Sequence, residues 1–104
     1  MTALPSEAGP ACARSEVRLT YLESLAGELT RRALRARVLT PYGRVPSVRV
    51  VNPVATALAE NVYAAEGADG IWSYWWSWAE RIAVADDVDD AADRVARVLA
   101  ARTG

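Results

Sequence analysis

Aromatic residues are concentrated in the stretch Gly70–Trp78, which reads G-I-W-S-Y-W-W-S-W and contains all four tryptophans of the chain. Side chains of a β-strand point alternately to opposite faces. An extended chain would therefore place four of its five aromatic side chains on one face and Trp75 on the other. The four are Trp72, Tyr74, Trp76 and Trp78. We predict a central β-strand here, with this aromatic row as the largest part of the hydrophobic core.

Two segments show the spacing of amphipathic helices. In residues 15–36, leucines and alanines recur every three or four positions, and in residues 87–102 valines and alanines do the same. The second segment begins with acidic residues and ends with arginines, which suits the helix dipole. Asp86 or Asp87 is its expected N-cap. Each helix should bury one apolar face.

Three further short segments, at residues 37–42, 46–52 and 60–66, have strand character and are separated by turn residues. The Asp69-Gly70 pair is a hairpin signal. Short connections predict an antiparallel β-meander of about four strands in the order α-β-β-β-β-α. The expected fold is α+β, a two-layer sandwich with the N- and C-terminal helices on one face. The aromatic row should face the helices, together with Val48, Val50 and Val62.

The opposite face of the sheet is expected to carry side chains that suit neither a polar surface nor a core. Because Trp, Tyr and Arg are enriched at binding hot spots, we interpret this face as a partner-binding surface. Two other arrangements stay open: the N-terminal segment or loops cover this face, or the two faces are exchanged and the aromatic row meets a partner. The predicted partner-binding residues are Arg49, Val51, Tyr63, Ser73, Trp75 and Ser77.

The composition argues against catalysis. The 104 residues include no histidine and a single cysteine, Cys12, so the familiar nucleophile–base pairs are missing. Residues 1–14 lack periodicity and are predicted to form a flexible tail before a single domain at residues 15–104. The acidic run at residues 86–90 lacks the pattern of a calcium loop. We expect no enzymatic activity, no metal and no cofactor.

Targeting signals are also missing from the sequence. No run approaches the roughly 20 apolar residues of a membrane span, and the N-terminus lacks the pattern of a signal peptide. We therefore expect a cytoplasmic protein with no membrane segment.

Charge is distributed unevenly along the chain, although the net charge is only −1. Residues 1–49 carry eight arginines and four glutamates, whereas residues 50–104 carry four arginines and nine acidic residues. The basic cluster favours either a helix C-terminus or a nucleic-acid surface in which Tyr63 and Trp75 serve as stacking platforms. The acidic second half weighs against nucleic acid. The candidate nucleic-acid residues are Arg31, Arg32, Arg35, Arg37 and Arg44.

The segment W-S-Y-W-W-S-W-A-E-R-I, followed by an Asp-led helix rich in Ala, Val and Arg, resembles a group of short uncharacterised actinobacterial proteins. These have a W-W-S-W strand before an Asp/Ala-rich C-terminal helix, and Asn52-Pro53 also fits their pattern. The resemblance covers residues 50–100 and implies no activity. The helix–meander–helix layout is similar to secretion-chaperone folds, which implies a partner protein or a homodimer.

These observations predict a non-catalytic protein-interaction module, a small adaptor or chaperone-like protein. It would bind a partner protein, or a second copy of itself, through the sheet face. One alternative is a nucleic-acid-associated accessory protein that uses the basic region between Arg31 and Arg49. The other is a small-ligand protein with a pocket lined by the Trp row.

Overall fold

Two helices and five strands form the fold in the computed structural model, which describes residues 3–100 and their side chains from residue 15 onward. The strands follow one another across a single antiparallel sheet in sequence order. The α+β prediction is confirmed, with one strand more than expected. The elements are α1 (Ala3–Arg31), β1 (Arg35–Leu39), β2 (Ser47–Val51), β3 (Ala59–Glu66), β4 (Trp72–Trp76), β5 (Arg81–Val84) and α2 (Val88–Val98).

Both helices pack on the same face of the sheet. Val48 lies opposite Val62, and Val62 lies opposite Trp76, so these three side chains form a row across β2, β3 and β4. All three are buried against apolar residues of the two helices. The helix residues in this core are Leu22, Leu25 and Leu29 of α1 and Ala91, Ala92 and Val95 of α2. The structure thus has the two layers that were predicted, a sheet and a pair of helices on one of its faces.

Strand β4 is shorter than predicted. It ends at Trp76, because the Ala79 N–H donates to the Trp76 carbonyl and the Trp76 N–H donates to the Glu80 carbonyl, which closes a tight hairpin. The prediction that Trp78 belongs to the helix-facing row is therefore wrong. Its side chain is 51% exposed and stacks on Trp76, with ring centroids 5.0 Å apart. The fully buried aromatic residue of the strand is Tyr74.

Strand β5 lies outside the four segments predicted as strands. Trp75 pairs with Arg81 and Tyr74 pairs with Ala83, so Ile82 is an extra residue at a β-bulge. The bulge lets Ile82 and Ala83 both be buried, while Arg81 stays exposed. Because this arrangement breaks the two-residue alternation of a strand, the sequence pattern did not indicate it.

Helix α1 ends at Arg31, five residues earlier than predicted. The Leu34 N–H donates to the Leu29 carbonyl and the Ala33 N–H to the Thr30 carbonyl, with Ala33 in the left-handed conformation at φ 68°. This is a Schellman motif, which normally contains glycine at that position. As a consequence, β1 begins at Arg35, a residue predicted to be helical.

The predictions for the starts of the two helices and for the chain termini have different outcomes. Asp87 is the N-cap of α2, and its carboxylate accepts from the Asp90 N–H at 3.1 Å, as expected. Helix α1 begins at Ala3 rather than at residue 15. Residues 1, 2 and 101–104 lie outside the described residues, as do the side chains of residues 3–14, so the flexibility of the N-terminal segment and the domain boundary at residue 15 stay predictions. In the described part of the chain, no helix is both long and apolar enough to cross a membrane.

Candidate partner-binding face

The face of the sheet opposite the helices is uncovered by any other element within residues 15–100, where α1 and α2 both pack on the other side. Cross-strand partners, and residues two apart on a strand, share a face. The pairs Arg37–Arg49, Arg49–Asn61, Tyr63–Trp75 and Trp75–Arg81 therefore define one surface. We call it the open face. Its principal side chains are Arg35, Arg37, Arg49, Val51, Asn61, Tyr63, Trp75 and Arg81.

Five of the six predicted partner-binding residues lie on this face, as the strand alternation required. Among them Ser73 is fully buried and is inaccessible to a partner. Ser77 is the sixth, and it lies in the turn after β4 and not on the face. Arg49, Val51, Tyr63 and Trp75 remain accessible. Their role in binding stays a prediction.

The Trp75 ring is only partly exposed, because the Arg81 side chain lies over it. The Arg81 guanidinium lies 5.1 Å from its ring centroid, and the indole Nε1–H donates to the Ala65 carbonyl at 3.1 Å. Asp69 holds Arg81 in place, with Oδ1 3.1 Å from Nη2. A hydrogen bond from the Ile71 N–H, aided by Arg81, lowers the pKa of Asp69. A partner would thus meet a cation stacked on Trp75, beside the half-buried ring of Tyr63.

Arginine is the dominant charge on the open face. No open-face position of the five described strands carries Asp or Glu. Arg37 lies directly opposite Arg49, and like charges in that position destabilise a sheet. Arg49 donates to Asn61 Oδ1 at 2.8 Å, but within residues 15–100 Arg35, Arg37 and Arg49 make no salt bridge. The arrangement can attract a negatively charged partner.

Two shallow depressions adjoin this face. The larger, of about 550 Å³, lies beside β1 and is lined by three open-face arginines and by apolar residues near the end of α1. The smaller, of about 390 Å³, brings Arg44 of the β1–β2 connection near Tyr63. The row formed by Trp72, Tyr74 and Trp76 lines neither depression, because it packs against the helices. This packing weighs against a ligand pocket at the Trp row.

The five arginines of the predicted nucleic-acid surface do not form one cluster. Arg35 and Arg37 lie on the open face, and Arg44 lies at its rim. Arg31 and Arg32 are instead used on the helical side, where Arg31 pairs with Glu28 at 2.6 Å. Arg32 pairs with Asp89 of α2, also at 2.6 Å, and so ties the two helices together.

Sequence reasoning missed Asn61 and Arg81 on the open face, and Asp69 in the β3–β4 turn, which pairs with Arg81. Their positions depend on the register of β2 with β3 and on the β4–β5 hairpin, and only a prediction of that hairpin would have placed Arg81 beside Trp75. Among the described residues, no group of three acidic or cysteine side chains could hold a metal ion.

Comparison with known proteins finds no matching family, no similar curated protein and no similar solved structure. The resemblance to the W-W-S-W proteins therefore stays a prediction, and function is argued from the geometry of this chain alone.

Proposed function

We propose that the protein is a non-catalytic interaction module that binds a partner protein through the open face. One observation carries the proposal: a sheet face uncovered within residues 15–100 presents Arg35, Arg37 and Arg49 without acidic neighbours, next to Tyr63 and Trp75. Aromatic and arginine side chains together are typical of binding hot spots. Complementary charge requires that the partner present an acidic surface. We place this function in the cytoplasm, as expected from the sequence.

A different protein fits this face better than a second copy of the chain. In a twofold dimer each partner contributes the same patch. Two open faces brought together would set Arg37 and Arg49 against the arginines of the other copy, which costs free energy. The acidic residues that would complement them, such as Asp89 and Asp93, lie on the helical side. The geometry thus disfavours a homodimer through this face.

Single-stranded nucleic acid is a second candidate, favoured by one specific feature. Tyr63 and Trp75 lie directly opposite each other on the inner strands β3 and β4, as aromatic side chains do where bases stack on a sheet. The stacked Arg81 and its partner Asp69 occupy part of that platform. We therefore rank an acidic protein first.

Capture from extract of the native host tests the proposal, with matched variants as bait. Arg49→Glu and Tyr63→Ala change the open face, whereas Arg97→Glu makes the same charge change on α2, where Arg97 is 77% exposed. We expect a protein to be recovered by the wild type and by Arg97→Glu, and to be lost with both open-face variants. Recovery of every captured protein by the open-face variants would contradict the proposal. Binding of oligo(dT) at low salt, with the same loss, would favour nucleic acid instead.

A further inference from the structure

Strand β1 is an edge of the sheet, and none of the described residues pairs with its outer side. It pairs with β2 alone, and within the described part of the chain no backbone hydrogen bond reaches Arg35–Leu39 from outside that pair. Such an edge is a template for one more strand. The depression of about 550 Å³ runs beside this edge.

The two sides of this edge differ chemically. On the open face the depression is lined by Arg35, Arg37 and Arg49, and on the helical side by Leu34 and Ala36. A strand added to β1 would point alternate side chains to these two environments. Acidic side chains would face the arginines, and apolar side chains would face the end of α1.

We propose that β1 receives an extended acidic segment of the partner protein as a sixth strand of the sheet. The inference rests on the proposed function and names the part of the partner that is recognised. Backbone hydrogen bonds to β1 supply affinity. Alternate carboxylates on the segment select it through Arg35, Arg37 and Arg49, and they relieve the repulsion between the directly opposed Arg37 and Arg49.

The structure disfavours other occupants of this edge. If two copies of β1 paired antiparallel about Arg37, the Arg37 side chains would face each other. Charged edge residues do prevent such association, but that role does not account for Arg49, which lies on an inner strand. A nucleic acid lacks the backbone groups that pair with a strand. At the other edge, β5 has only four residues, one of them in the bulge.

The test uses a capped, fluorescein-labelled peptide of sequence VEVEVEV, with two control peptides. One control replaces each glutamate with glutamine, and the other carries N-methyl groups on alternate amides and so keeps the charges while blocking strand pairing. We expect saturable binding of the first peptide and at least tenfold weaker binding of either control. In NMR spectra of the complex, amides of Arg35–Leu39 should gain protection from exchange.

Variants of the protein complete the test. Arg37→Gln should lower the affinity for the peptide by about tenfold, which corresponds to the loss of one charge-assisted hydrogen bond. Arg97→Gln should leave this affinity unchanged. Binding that survives N-methylation, or that shifts resonances of Tyr63 and Trp75 but not of β1, would overturn the inference. So would the absence of peptide binding. If open-face variants nevertheless lose the captured protein, the proposed function stands without this inference. If they retain it, the proposed function itself fails.

Discussion

Asn52 joins the β2–β3 connection to the end of the last helix. Its side chain is only 7% exposed, and its Nδ2 donates to the Leu99 carbonyl at 2.7 Å. Its Oδ1 accepts from the N–H groups of Val54 at 2.9 Å and Ala55 at 3.3 Å. Leu99 is the C-cap residue of α2, where carbonyls lack partners within the helix. One amide thus satisfies groups from two separate elements.

The Asn52→Ala variant removes all three hydrogen bonds. The Val54 N–H belongs to a residue that is 87% exposed, so water can replace its partner. Leu99 is buried, and its carbonyl loses a short hydrogen bond in a poorly hydrated place. A hydrogen bond contributes about 1 kcal/mol net, and a buried group left unsatisfied costs about 1–3 kcal/mol. We therefore expect the free energy of unfolding to fall by about 2–3 kcal/mol.

Urea unfolding followed by tryptophan fluorescence measures this loss. The midpoint should fall while the slope of the transition stays the same, because the variant changes stability and not the surface exposed on unfolding. Thr56→Ala, an exposed site in the same connection, is the matched control and should stay within about 0.5 kcal/mol of the wild type. An Asn52→Ala protein as stable as that control would refute the reasoning.

Exchange of the amide for a carboxylate separates the donor role from the acceptor role. Asn52→Asp keeps the Oδ1 acceptor of the Val54 and Ala55 N–H groups but replaces the Nδ2 donor with an oxygen, which near pH 7 places a negative charge against the Leu99 carbonyl. We expect this variant to be less stable than Asn52→Ala at that pH and to recover as the pH falls and the carboxyl group gains a proton. If Asn52→Asp matches the wild type at pH 7, the amide does not donate to Leu99.

Three further changes test other parts of the fold. Ala33→Gly should raise the free energy of unfolding by about 1 kcal/mol, since Ala33 has φ 68° at the end of α1; a loss on thermal or urea unfolding would contradict this. Arg37→Gln should stabilise the unliganded protein by about 0.2–1 kcal/mol because it removes a like-charge pair, whereas Arg97→Gln should give no gain; equal effects in urea would exclude repulsion on the open face. Tyr74→Phe should cost about 1 kcal/mol at pH 7, because the Tyr74 hydroxyl donates to the Tyr21 carbonyl at 2.6 Å. Burial raises the pKa of Tyr74, so the contribution of the Tyr74 hydroxyl to stability is complete below about pH 10 and is lost at higher pH, where the unfolded state ionises first. Between pH 8 and 11 the free energy of unfolding should therefore fall less steeply with pH for Tyr74→Phe than for the wild type. An equal pH dependence of the two proteins would argue against a buried neutral phenol.

The parts of the fold that were predicted correctly depend on local alternation. Val48 and Val50 point to one side of β2, and Arg49 points to the other, whatever the exact ends of the strand. The same period of two placed Tyr63 and Trp75 together on the open face. The acidic start of α2 gave its N-cap correctly for a similar reason, since a cap depends on a few neighbouring residues.

The errors arise where an alanine adopts a conformation that usually needs glycine. Ala33 ends α1, and Ala79 at φ 69° helps to close the β4–β5 hairpin. Neither residue carries a sequence signal for a positive φ. Without these turns, Arg35 was placed on a helix, Trp78 was placed on the helix-facing row, and Arg81 was not placed on any predicted strand. The partner of Arg32 on α2 was equally hidden, because the packing of α1 against α2 brings them together.

The arginines of the chain separate into two groups in the folded protein, and this separation explains how a chain with a net charge of −1 presents a basic face. Residues 15–100 contain ten arginines, of which five make salt bridges to acidic residues. One of the others, Arg18, donates to the Ala64 carbonyl and lies over Trp72. The remaining four are Arg35, Arg37, Arg44 and Arg49.

These four arginines lie on or beside the open face, on β1, β2 and the connection between them. The acidic second half of the sequence does not neutralise them, because α2 packs on the other side of the sheet and three of its aspartates pair with arginines there. The repulsion between Arg37 and Arg49 lowers the stability of the unliganded sheet, so stability does not explain the presence of this pair. Its presence at the edge of the sheet is explained if a negatively charged strand binds there. Arg37→Gln should accordingly raise the stability of the free protein and lower its affinity for the partner, a trade-off between stability and function.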